Sequence, residues 1–82
     1  MRYLNDLDRH AEKLMLIGNN ISFYRRKNKL SQLQLAEKVG ISRTHMSNIE
    51  APNVTHSFSI GVLLDIANAL NVEPMNFFDF NK

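Results

Sequence analysis

Apolar positions recur at steps of three and four along most of this chain. Leu4, Leu7, Ala11, Leu14, Ile17, Ile21 and Tyr24 mark a helical run over 4–29, either one long helix or two consecutive ones. Gly18 and the pair Asn19-Asn20 weaken the middle of that run. Leu35 and Val39 stand four apart and share one face of a second helix, about 32–39. Met46 and Ile49 stand three apart on a third, about 43–51. Gly40 can end the second helix in the left-handed region without steric cost. Ser31 caps the second helix, and Ser42 caps the third by accepting from a backbone N–H near Thr44 or His45. Residues 52–57, opened by Pro52, read as a loop. Ser57 or Ser59 then caps a fourth helix with a stripe of Ile60, Leu63, Leu64, Ala67 and Leu70, Ile66 alongside. Asn71 suits a left-handed stop, and Pro74 suits the first turn of a short fifth helix through Met75, Phe77 and Phe78. No stretch alternates convincingly as a strand. The pattern predicts an all-α domain of five helices.

Composition narrows the possibilities. The 82 residues, 44% of them apolar, suffice for one small domain with a modest core. There is no cysteine, so neither disulfides nor a zinc-thiolate site supplies stability. No run approaches the length of a membrane span, and the N-terminus lacks a secretory apolar core, so the expected location is the cytoplasm. The net charge of +2 conceals an uneven distribution. Between Lys13 and Arg43 seven cations face Glu37 alone, giving +6, while residues 1–12 carry −1 and residues 44–82 carry −3. Such a bias suits a face that meets phosphates, although a solvated charged face would explain it equally well.

The stretch from Gln32 to Ile49 has the sequence logic of a helix-turn-helix, with Ala36 small enough for the two helices to cross closely. Leu30-Ser31-Gln32, then Leu35-Ala36-Glu37-Lys38-Val39-Gly40-Ile41-Ser42, then Ser47-Asn48-Ile49-Glu50 resembles the Xre-type family, the helix-turn-helix family of lambda-type repressors and Cro proteins. The resemblance runs from about Ile17 to Phe78. It implies a compact five-helix, lambda-repressor-like domain spanning 1–82, with the helix-turn-helix at 32–50 and residues 1–14 as an N-terminal helical extension. The family usually has a glycine soon after the glutamate and a proline before the fourth helix; here Ala51-Pro52 and Phe58 stand there. The intervening loop is about two residues longer than the common form, as in the controller proteins of restriction-modification systems. Arg43-Thr44 opening the third helix fits that branch too. Those proteins carry basic residues in this loop, whereas only His56 could be cationic here.

In a helix-turn-helix the second helix of the motif lies in the major groove and presents its N-terminal residues to base edges. At 100° per residue, Ser42, Met46 and Ile49 point inward, while Arg43, Thr44, Ser47 and Asn48 point outward. The resemblance implies base contact by Arg43, Thr44 and Asn48, with Ser47 beside them. The chemistry agrees: Arg grips guanine O6 and N7, and Asn grips adenine N6 and N7. The resemblance implies that Gln32 either touches a phosphate or braces the third helix, and that Arg25 lies beside the DNA backbone. Ser42 is a further backbone-contact candidate, and Arg26, Lys27 and Lys29 read equally well as phosphate neighbours or as solvated cations. Arg25 and Glu50 correspond to a structural ion pair of the family. Phe77, Phe78 and Phe80 crowd the C-terminus; two can close the core, and the remainder offers a homodimer interface.

His10, His45 and His56 include no pair at i, i+4, so no metal is expected. Nothing suggests catalysis or a cofactor. The expected function is a dimeric, sequence-specific regulator of transcription whose partner is double-stranded DNA. The alternative is an antitoxin-like module that engages a protein partner and also binds its own promoter.

Overall fold

The computed structural model describes residues 10–51 and 58–81. Among the described residues four α-helices follow one another: α1 (Ala11–Lys27), α2 (Gln32–Val39), α3 (Arg43–Glu50) and α4 (Ile60–Leu70). The expected fifth helix is a single 3-10 segment, Pro74–Phe78, with proline in its first turn. No strand occurs among the described residues. Leu4, Leu7 and most of the proposed 1–14 extension lie outside the described residues, as does the predicted loop at 52–57.

Local chemistry sets each helix boundary. Ser31 Oγ accepts from the Gln34 backbone N–H, and Gln34 Oε1 accepts from the Ser31 N–H, so α2 starts in a reciprocal capping box. Ser42 Oγ accepts from His45 N–H at 3.0 Å, and Ser59 Oγ accepts from Val62 N–H at 3.1 Å. Gly40 ends α2 at φ 85°, and Asn71 ends α4 at φ 57°. One left-handed residue escapes the sequence pattern. Lys29 follows α1 at φ 60°, where the Leu30 N–H returns to the Arg25 carbonyl and turns the chain toward α2.

The core gathers one face of each helix: Ile17 and Ile21 from α1, Leu35 and Ala36 from α2, Met46 and Ile49 from α3, and Leu63, Ile66, Ala67 and Leu70 from α4. Phe77 closes it from the 3-10 segment. On α4 the buried stripe is narrower than predicted. Ile60 is 69% exposed and Leu64 48%, because the buried i, i+3, i+4, i+7 row of α4 is the one that starts at Leu63. The predicted weak point of α1 does not break it. Gly18 is buried where α1 meets the end of α3, and Asn20 Nδ2 donates to the carbonyls of Phe77 (3.0 Å) and Asp79 (3.1 Å). Both residues join α1 to distant parts of the chain.

Candidate nucleic-acid interface

Helices α2 and α3 pack against each other, and α1 packs across α3. Met46 and Ile49 anchor the inner face of α3. Arg43 and Thr44, at its first turn, are exposed; Ser47 and Asn48 are partly exposed one turn on. The four side chains expected to read bases thus occupy the outer side of one short helix. Ser42, expected to point inward, is exposed instead: its hydroxyl caps the helix from outside, as a residue preceding the first turn must.

The far end of α3 is held by a hydrogen-bonded cluster. Arg25 donates through Nε to Glu50 Oε2 at 2.6 Å and through Nη2 to Glu50 Oε1 at 3.0 Å. Its Nη1 donates to the Leu30 carbonyl at 2.7 Å. Gln32 Nε2 adds a bond to Glu50 Oε1 at 3.1 Å. Glu50 is therefore a buried carboxylate satisfied by two side chains from different elements, and no buried polar side-chain atom among the described residues lacks a partner. Of the two roles open to Gln32, the geometry places its amide against Glu50. Gln32 itself is partly exposed at the α2 N-terminus.

Arg26, Lys27 and Lys29 are exposed at the end of α1 and in the turn after it. They stand around the α1–α2 turn, whose conformation Arg25 fixes through the Leu30 carbonyl. Lys13 belongs to a different place: its Nζ lies 6.0 Å from the Phe80 ring centroid.

The C-terminal aromatics divide. Phe77, expected at a dimer interface, is 0% exposed within the domain's own core, its ring 6.1 Å from that of Tyr24. No part of it is left for a second subunit, because the 3-10 segment turns it inward under α1. Phe78 is 47% exposed, and Phe80 is partly buried with its ring 6.5 Å from that of Phe78.

Among the described residues no group of three or more His, Asp or Glu side chains could hold a metal. No described helix is long and apolar enough to cross a membrane. Gly18 and Asn20 escaped the sequence reading as contributors. A glycine inside an otherwise persistent helical pattern is the one signal that could have pointed to a close packing contact.

A family profile described as a helix-turn-helix domain matches residues 18–79. The chain is 37% identical over 59 residues to an immunity repressor protein of Bacillus phage phi105, covering 72% of this chain and 40% of the repressor. It is 36% identical over 56 residues to the control protein C.SmaI of Serratia marcescens, covering 68% of this chain and 64% of that protein. The matched stretch thus spans less than two thirds of either relative. The crystal structure of the restriction-modification controller protein C.AhdI from Aeromonas hydrophila superimposes with a TM-score of 0.75 at 28% identity, covering 82% of this chain and 98% of that one.

Proposed function

This chain belongs to the helix-turn-helix domain family, and from that premise we propose that it is a sequence-specific DNA-binding regulator of transcription acting in the cytoplasm. One observation carries the proposal: α3 buries Met46 and Ile49 and turns Arg43, Thr44, Ser47 and Asn48 outward. Such a helix enters the major groove with its first turn leading. Arg43 and Asn48 supply bidentate base contacts, and Thr44 and Ser47 flank them. Arg26, Lys27, Lys29 and Ser42 lie at the rim and serve the phosphates, while Arg25 sets the turn that carries Lys29. Gln32 acts on the same helix through Glu50 and presents the α2 N-terminus to the backbone. Likeness to a phage repressor and to two controller proteins supports the regulatory role and the controller branch.

Fluorescence anisotropy with a selected duplex and with random DNA tests the reading. Affinity for the selected duplex is expected to fall steeply with salt as condensed counterions are released. Arg43→Ala is expected to cost about 1–3 kcal/mol on that duplex and to relax preference at one base pair. Lys27→Ala is expected to weaken all sequences alike. Equal affinity of the parent protein for selected and random DNA would refute the function, and uniform weakening by Arg43→Ala would make Arg43 a phosphate contact.

The regulator is proposed to act as a homodimer. One such unit inserts a single reading helix, and two related by a two-fold axis reach half-sites about 34 Å apart. With Phe77 committed to the core, the apolar area left at this end is Phe78, Met75 and the exposed part of Phe80. Phe78→Asp places a charge there without touching the core, so it is expected to give folded monomers at concentrations where the parent is dimeric. Sedimentation equilibrium decides the matter; an unchanged dimer places the interface elsewhere.

A further inference from the structure

Gly18 lies in the middle of α1, where glycine lowers helix stability and alanine would serve the isolated helix better. Its surroundings explain the choice. A Cβ at this position would lie 2.6 Å from the carbonyl oxygens of both Ile49 and Glu50, and 2.9 Å from the Glu50 carbonyl carbon. All three are backbone atoms of the last residues of α3, so no side-chain rotation relieves the contact. Arg25 stands seven residues further along α1, two turns on and on the same face, and grips the carboxylate of that same Glu50. Gln32 holds it from α2. Three separate points of the chain therefore converge on the final residue of α3, one through bare backbone contact and two through side chains.

Resting on the reading of α3 as the DNA-reading helix, we propose that Gly18 is a positioning residue for sequence recognition. It sets the depth to which the C-terminal end of α3 settles onto α1, and hence the tilt at which α3 meets the groove. An ordinary contact at position 18 would begin near 3.4 Å, so a methyl group displaces the end of α3 by about 0.8 Å. The N-terminal end is fixed independently, by the Gly40 turn and by the fully buried Met46. The helix has eight residues and a length of about 12 Å, so the displacement becomes a tilt of roughly 5° about its first turn. Arg43 sits at the pivot and hardly moves. Asn48, one residue before Ile49, moves by roughly half an ångström or more, which is the tolerance of a preorganised polar contact. The substitution Gly18→Ala therefore has a selective signature that general destabilisation would not produce.

The test compares the parent with Gly18→Ala on a panel of duplexes carrying single base-pair changes, at a temperature where circular dichroism shows both folded. Asn48→Ala and Arg43→Ala first identify the base pair that depends on each residue. Gly18→Ala is expected to reduce preference at the Asn48-dependent pair about tenfold while leaving preference at the Arg43-dependent pair nearly unchanged. Should Gly18→Ala fail to fold alone, it is placed in a Lys29→Gly background, which relieves the left-handed lysine after α1 and is compared with Lys29→Gly alone. A uniform loss over all duplexes, an unchanged profile, or failure to fold in both backgrounds overturns the proposal and leaves Gly18 a residue of stability only. A parent that shows no base preference at all overturns instead the DNA-reading function on which it rests.

Discussion

Glu50→Ala is expected to destabilise the domain by about 3–5 kcal/mol, the cost of removing one partner from a buried ion pair. The side chains of Arg25 and Glu50 are only 13% and 4% exposed, so solvent cannot replace what is removed. Arg25 would keep its bond to the Leu30 carbonyl but lose both bonds to Glu50. Gln32 would lose its acceptor on Glu50 as well. A domain of this size has a total stability near the low end of the usual 5–15 kcal/mol range, so the variant should be largely unfolded near body temperature. The intact pair need not contribute that much in net terms, because both charges were desolvated to form it. Replacing both partners separates the two quantities: Arg25→Met with Glu50→Leu is expected to recover most of the loss. Urea denaturation of the parent, the single variants and the double variant gives the coupling. A loss under about 1 kcal/mol for Glu50→Ala would mean that water or a rearranged Arg25 compensates, and that the end of α3 is not pinned through this carboxylate.

The parts of this architecture that local chemistry determines were readable from the residues. Ser42 before a polar turn, Gly40 after Val39 and Asn71 after Leu70 each act within four positions of their own backbone, and the α2 and α3 boundaries follow from them. The outward placement of Arg43 and Thr44 follows from the same periodicity that buries Met46 and Ile49. What could not be read depends on elements distant in sequence. Gly18 looks like a defect until the carbonyls of Ile49 and Glu50 are placed above it. Asn20 looks like a helix weakener until the backbone of Phe77 and Asp79 arrives to accept its bonds. Ile60 and Leu64 fit the apolar stripe of α4 by spacing, and only the position of the neighbouring helices shows that the fully buried row begins at Leu63 and passes them by. Lys29 gives no sign of a left-handed backbone, because lysine has no preference for it.

Phe77→Ala is the second substitution expected to have a large effect, about 3–5 kcal/mol, and it separates the core from the interface at the C-terminal end. Three neighbouring phenylalanines were interchangeable on sequence grounds, since a cluster of aromatics near a terminus serves a core or a partner equally well. Their surroundings distinguish them. Phe77 is wholly buried beside Tyr24, and its carbonyl accepts from Asn20, so its ring and its backbone both lock the 3-10 segment to α1. Truncation to alanine leaves a void in a core whose other members, Ile21 and Leu70 among them, are already fully buried and have little freedom to close it. Phe78, half exposed on the same segment, has no such cavity to leave, and Phe78→Ala is expected to cost under about 1 kcal/mol of monomer stability. The two variants should therefore behave in opposite ways. Phe77→Ala lowers the thermal midpoint sharply, yet the fraction still folded at low temperature dimerises as the parent does. Phe78→Ala leaves the midpoint of the monomer almost unchanged and weakens association. Thermal melts over a range of protein concentrations, combined with sedimentation equilibrium, read both quantities on the same samples. If Phe77→Ala were tolerated while abolishing dimers, the 3-10 segment would have to swing Phe77 outward in the assembled protein, and the core would have to close over the space it leaves.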